Sequence, residues 1–505
     1  SVLNGRNGHK LVRYIAGGTA IPVEGSETDP VNGKDIYTTL DVNIQDIAET
    51  ALMKMMLQCQ GPYGTAIVME TQTGKIKAMA NLGRQKDGTY WEDDNYALRA
   101  TEPGSTIKLA TLLSVLESNS SKIDDKVEVG TKGRMRVAPV PKDVVDAERY
   151  SEPVLTVQEC FAHSSNVGMS KLAYKAFGDK PEEFRKYLHL FRLDEKPSID
   201  LANVPAPSIT SFKRDEGGLM NMLWVSFGYG INISPLTILN LYNAVANNGR
   251  MVKPYLVSSI QSDGIIYRQF QPTVLEENLC SQSVISDARV SMEMVVKEGT
   301  ARKVLAGMPF AVAGKTGTAH VSDGKIKYDD GVYQATFVGY FPADNPQYTC
   351  IVVIRTKPHD PIHFGGLLAA PVFREIATKI YSKYVENKNP SKYVAVKDSN
   401  AYFYAGFTPD IKKLYKILNI SYADSTDRHT WGSVYAQKHQ PVIKANNIRQ
   451  QVMPNVRGMG LKDAVYLLEN MGVKISVKGK GKIITQSVAP GTMLGKGITV
   501  MLELS

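Results

Sequence analysis

Apolar residues at Ile107, Leu109, Leu112, Leu113, Val115 and Leu116 surround a helical stretch that begins at Ser105. An apolar surface running nearly all round a helix predicts burial in the middle of a domain. Pro103-Gly104 supplies the preceding turn, which puts Ser105 in the first helical turn, where backbone N–H groups lack intrahelical partners. A period of two marks the strands. GTAIVME and KIKAMA, joined by Thr71-Gln72-Thr73-Gly74, predict a hairpin after Gly61-Pro62. PFAVAGKTGTAHV, YQATFVGYF and QYTCIVVIRT predict three later strands, joined by short turns and therefore antiparallel. Helical patterns lie between the two groups. One of them, VQECFAHSSNVGMSKLAYKAF, is interrupted in its first turns by Ser164-Ser165-Asn166, and APVFREIATKIYSKYV closes the region. The expectation is an α/β domain over 62–385: one antiparallel five-stranded sheet with helices on its faces and a helical subdomain.

The flanks read differently. In residues 1–61, LVRYIAGGTAIPV and DIYTTLDV alternate like strands and NIQDIAETALMKMMLQ is an amphipathic helix. This segment looks like the tail of a partial, β-rich N-terminal domain that begins further upstream. Residues 1–40 are expected to pack as an incomplete lobe against the Asn43–Gln60 helix, with apolar patches exposed. Residues 386–451 form a linker-like region without assignment. Over 452–505 a helix, LKDAVYLLENM, precedes strands VKISVKG, KIITQSV and ITVMLEL, a small α+β module with no second copy visible in the chain.

Composition adds limits. The 505 residues are 43% hydrophobic and 22% charged, an ordinary globular balance. A formal net charge of +9 is mild over this length. With no arginine-rich stripe, nucleic acid is not an expected partner, whereas anionic glycan or lipid phosphate is compatible with the charge. Cys59, Cys160, Cys280 and Cys350 are far apart and make neither a disulfide framework nor a metal site. No run of 18 apolar residues is present.

The chemistry starts at Ser105. Lys108 follows three residues later on the same helix face, and burial should lower its pKa, setting a neutral amine beside a hydroxyl. Ser164 offers a hydroxyl that can relay a proton, and Asn166 an amide that can hold a peptide group. Lys315, Thr316 and Thr318 add a cation and two hydroxyls suited to a substrate carboxylate, and Gly317 would let a ligand approach the backbone closely.

Ser-x-x-Lys at 105, Ser-Ser-Asn at 164 and Lys-Thr-Gly at 315 stand in the order known from β-lactamases and penicillin-binding proteins, with Ser165 where the usual set has aspartate. TLDVNIQDIAETAL, SFGYGINISPLTILNLYNAVANNG and GGLLAAPVFREI extend the likeness. The chain resembles a class B penicillin-binding protein, a peptidoglycan D,D-transpeptidase, and its tail from Val452 resembles a PASTA domain. The resemblance implies a serine β-lactamase/transpeptidase-like fold with a partial N-terminal pedestal. It implies catalysis by Ser105, Lys108, Ser164, Asn166 and Lys315, substrate binding by Thr316, Gly317 and Thr318, and no metal or cofactor. Stem peptides and β-lactam antibiotics are the implied ligands, and a separate glycosyltransferase of the division machinery the implied partner. A single membrane helix upstream would place the catalytic domain on the outer face of the cytoplasmic membrane. The rival readings are a D,D-carboxypeptidase and a β-lactam sensor or wall-binding receptor with little turnover. A class A β-lactamase fits less well, because the nearest Leu-Asn downstream, Leu239-Asn240, has Leu236 where a deacylating glutamate would sit.

Overall fold

Asp41 accepts hydrogen bonds from the Asn43 and Ile44 amides and so caps α1 (Val42–Cys59). The computed structural model describes residues 2–137, 142–262, 264–322, 326–386, 403–427, 429–435, 440–495 and 497–505. They fall into two units, residues 1–388 and 389–505.

In the first unit the order after α1 is β1 (Tyr63–Glu70), β2 (Ile76–Arg84), β3 (Tyr90–Trp91), α2 (Lys108–Glu117), β4 (Arg134–Met135), β5 (Val144–Val145), α3 (Asn166–Phe177), α4 (Pro235–Ala246), α5 (Gln282–Lys297), β6 (Ala313–His320), β7 (Tyr333–Phe341), β8 (Tyr348–Arg355) and α6 (Gly365–Ile380). The central sheet runs β6-β7-β8-β1-β2-β3, antiparallel throughout. The five expected strands are present, and the two-residue β3 extends the edge. Every residue of β8 is buried, as a strand covered on both faces requires. Phe337 and Phe341 of β7 pack on Phe373 of α6. Thr349, paired with Tyr340 rather than Phe341, hydrogen-bonds Asn243 of α4. Alternation along the strands therefore puts α6 and α4 on opposite faces.

Residues 1–40 do not build the expected lobe. Asp35–Thr38 pairs with Val257–Ser262, which pairs in turn with Ile265–Gln269. The buried stripe of α1 (Ile44, Ala48, Ala51, Leu52, Met56) is spent on the central sheet and α6, and its outward face carries Asp46, Glu49 and Lys54. The segment instead satisfies its backbone groups by strand pairing, while Leu11, Tyr14, Ile21 and Val31 remain exposed, as expected.

In the second unit lie β9 (Phe403–Phe407), α7 (Thr408–Ile417), β10 (Ala423–Ser425), β11 (Trp431–Tyr435), β12 (Val442–Ala445), α8 (Leu461–Glu469), β13 (Lys474–Lys478), β14 (Ile483–Gln486) and β15 (Thr499–Leu504). Here the expectation of an unassigned linker over 386–451, with no second module, needs correction. After α7, β12 lies between parallel β10 and antiparallel β11; after α8, β15 lies between parallel β13 and antiparallel β14. From the helix onward the two modules share one topology, to which the first adds β9 beside β11. Their cores hide the repeat: Ile411, Val434 and Ile443 are flanked by tyrosines in the first, whereas the second packs Leu467, Leu468, Val500 and Leu502. The linker-like residues 387–402 lie outside the described residues. Among the described residues no helix is long and apolar enough to cross a membrane.

Candidate active site

A short 3₁₀ turn, Gly104–Ile107, leads into α2, so Ser105 stands at the head of a helix as the sequence predicted. Lys108 to Leu116 are all buried. Three contacts fix this element. Tyr242 of α4 donates its hydroxyl hydrogen to Thr106 O at 2.8 Å, and Thr111 Oγ1 donates to Ser226 O at 2.8 Å. The third is the Ser226–Gly230 loop itself, because a Cβ on Gly228 (φ +108°) would lie 2.1 Å from the Gly104 carbonyl oxygen. Only glycine fits that approach.

The second motif meets Lys108 directly. Lys108 Nζ lies 2.5 Å from Ser164 O, 2.6 Å from Asn166 Oδ1 and 3.2 Å from Ser164 Oγ. Burial pushes this amine down to about 7, against the opposing charge of Asp146. A neutral amine has two N–H groups, which serve the two acceptor-only oxygens and leave its lone pair for a hydroxyl. Ser164 itself has φ +60°, the left-handed region that a serine occupies at a cost of about 1–3 kcal/mol. That turn breaks the predicted helix between Ala162 and Asn166.

Asp146 is the residue that sequence reading missed. Its carboxylate accepts from Ser165 Oγ at 2.8 Å, from the Asn166 amide at 2.5 Å and from the Val167 amide at 2.9 Å. It therefore sits at the N-terminus of α3, where a negative charge is favoured. The position after Ser164 holds no aspartate, and a carboxylate arrives from twenty residues upstream instead. An aspartate in a turn-rich stretch carries no local signal of that role.

The third motif lies on β6. Lys315 is fully buried; its Nζ donates to Thr316 O at 3.0 Å and lies 5.7 Å from the centre of the Phe161 ring. Burial, reinforced by neighbouring Lys108, drives this amine well below the ordinary lysine range. Burial thus pushes both amines toward the neutral form. Thr316 Oγ1 pairs with Thr300 Oγ1 at 2.5 Å, and Thr318 Oγ1 accepts from the Gly365 amide at 3.2 Å. Gly317 has a packing use in addition. A Cβ there would meet Thr106 Cγ2 at 2.8 Å and Pro103 O at 3.3 Å, so the glycine seats β6 against the turn that bears Ser105. Lys108 thus touches Ser164 and Asn166 and lies near Lys315, Gly317 of the Lys315–Thr318 strand packs on the turn that bears Ser105, and Asp146 holds the second motif.

Comparison with known proteins agrees with this geometry. Residues 64–378 match the penicillin binding protein transpeptidase domain and residues 451–505 the PASTA domain. Stage V sporulation protein D of Bacillus subtilis is 26% identical over 514 residues, covering 100% of this chain and 70% of that protein. Penicillin-binding protein PbpB of Mycolicibacterium smegmatis is 27% identical over 404 residues, 76% of this chain but only 60% of its own length. Among solved structures, penicillin-binding protein 2X from Streptococcus thermophilus covers 100% of this chain and 77% of its own, with a TM-score of 0.64 at 21% identity, a likeness of fold. Penicillin-binding protein 3 from Mycobacterium tuberculosis, complexed with aztreonam, reaches a TM-score of 0.61 at 26% identity over 71% of this chain and 81% of that one. With Lys108 bonded to the second motif, the third seated against the turn that bears Ser105, and the family match spanning 315 residues (378 − 64 + 1), this chain belongs to the penicillin-binding protein transpeptidase family.

Proposed function

We propose that this protein is a D,D-transpeptidase that cross-links peptidoglycan stem peptides through an ester on Ser105. The observation that carries the reading is Lys108: a buried amine, pushed toward neutrality, within hydrogen-bond reach of both Ser164 and Asn166. Ser105 Oγ attacks the carbonyl of the penultimate D-Ala, and its proton passes to the Lys108 lone pair. Leading N–H groups of the helix are available to the oxyanion. As the C–N bond breaks, the proton moves through the Ser164 hydroxyl to the departing D-Ala amine. An amine from a second stem peptide then attacks the ester and gives up a proton to Lys108, which passes it to Ser105 Oγ as the ester C–O bond breaks. The terminal carboxylate of the donor lies against Lys315, Thr316 and Thr318, and its charge would draw the Lys315 amine back toward the cation. In a β-lactam the leaving amine stays tethered to the acyl group, so the ester persists.

The remaining expectations belong to this proposal: septal wall synthesis, a partner glycosyltransferase, a membrane anchor upstream and a catalytic domain on the outer face of the cytoplasmic membrane. Their support is family likeness together with the C-terminal modules. The central test is labelling with a fluorescent penicillin followed by peptide mass mapping. The adduct should map to Ser105, and Ser105→Ala should lose all labelling while keeping its Tm. An adduct on Ser164, or undiminished labelling, sinks the reading.

A further inference from the structure

The ribbon formed by β4 and β5 is attached to the second motif. Arg134 pairs with Val145 and Met135 with Val144. Val145 O accepts from Asn166 Nδ2 at 2.6 Å, and the Asp146 amide donates to Gly133 O at 2.7 Å. Along 132–137 exposure alternates: Lys132, Arg134 and Arg136 are exposed, Gly133 and Val137 buried, Met135 half-buried. Arg134 and Arg136, two residues apart, therefore share one face of the ribbon about 7 Å apart, and Lys132 stands exposed just before the left-handed Gly133 (φ +63°). With Arg149 they line an open groove of about 510 Å³.

The carboxylates of that region are already engaged. Asp146 holds the start of α3, Asp143 lies 3.4 Å from Arg136, and Glu148 lies 3.6 Å from His163. Lys132, Arg134 and Arg149 have no ion pair among the described residues. A concave surface with three uncommitted cations concentrates positive potential, and guanidinium groups suit carboxylates through paired hydrogen bonds.

We propose that this groove is a subsite for a carboxylate that the stem peptide carries outside its reacting D-Ala-D-Ala end. The assignment rests on the transpeptidase reading. The terminal carboxylate belongs to the Lys315–Thr318 wall, so a second anion needs a second site. The ribbon is also bonded to Asn166, the amide placed to hold that peptide.

The test uses the whole chain and two thioester donor peptides, identical except that the internal carboxylate is free in one and amidated in the other. The wild type should favour the free acid by about 10-fold in kcat/KM, the scale of a charge-assisted contact, and added salt should erode the preference. The double variant Arg134→Glu/Arg149→Glu should abolish the preference while leaving Tm and the benzylpenicillin acylation rate within about twofold. If that variant folds poorly, Arg134→Gln/Arg149→Gln should still reduce the preference. Equal use of both donors by the wild type, equal loss of both in the variant, or an unchanged preference overturns the subsite. Failure of the wild type to acylate with benzylpenicillin would instead count against the transpeptidase reading.

Discussion

The two walls of the cleft are built on different principles. The Lys315–Thr318 wall is the edge strand of a six-stranded sheet, with every residue of β6 in register with β7 from Ala313↔Tyr340 to His320↔Tyr333. Its geometry is over-determined, and one glycine sets its distance from Ser105. The Ser164–Asn166 wall is a left-handed turn before a helix, tied to a distant ribbon chiefly by three bonds to one carboxylate and by Asn166 Nδ2 to Val145 O. A wall held by many equivalent bonds should tolerate a side-chain change; a wall held by one carboxylate should not.

Beyond Ser105, the largest expected effect is at Lys108, which stands between the walls. Lys108→Arg fixes a positive charge at the site and cannot accept a proton, so penicillin acylation should fall at least ~10²-fold. Stopped-flow acylation would check this, and a mild effect would deny Lys108 the role of base. Next comes Asp146→Asn, which removes charge from the three hydrogen bonds that hold α3. Charge-assisted bonds of this kind contribute about 1.5–3 kcal/mol each, and partial retention by the amide leaves an expected loss of about 10-fold in acylation with a lowered Tm. Lys315→Arg should do less, because the strand keeps its register; acylation faster than in Asp146→Asn is the expected ranking. If the two arginine variants behave alike, the distinction between the lysines is wrong.

The smallest effect is the most discriminating. Lys108 must be neutral to take the Ser105 proton, so acylation should rise with pH through about 7 and level off above it. Asp146 raises the Lys108 pKa by its charge, so Asp146→Asn should move that rising limb to lower pH. A purely structural role for Asp146 would lower the plateau and leave the limb in place.

The same contrast explains what could be read from the sequence. The strand wall was legible because alternation, Gly-rich spacing and short turns are local signals that agree with the sheet. Ser105 and Lys108 were legible because Pro-Gly and an all-apolar helix fix their position. Asp146 was not, since its partners lie twenty residues away and nothing in VVDAERY announces them. The packing use of Gly317 was not legible for a related reason: that a missing Cβ makes room for Thr106 depends on the approach of two distant segments. At the other end of the chain, the module at 408–445 escaped notice because β10 has three residues and its small core uses tyrosines where the later module uses leucines.

Those two modules are joined more closely than beads on a string. The Ala405 amide donates to Gly458 O at 3.0 Å and the Phe407 amide to Asp463 Oδ2 at 3.3 Å, and Ala405 is buried in the same apolar cluster as Val456, Met459 and Leu468. Strand β9 is thus both an edge of the first module's sheet and part of the wall of the second module's core. Loss of either module exposes groups that the other was covering, so melting should spread from one to the other. A calorimetric scan of residues 389–505 should therefore show a single cooperative transition, with its calorimetric and van't Hoff enthalpies in agreement.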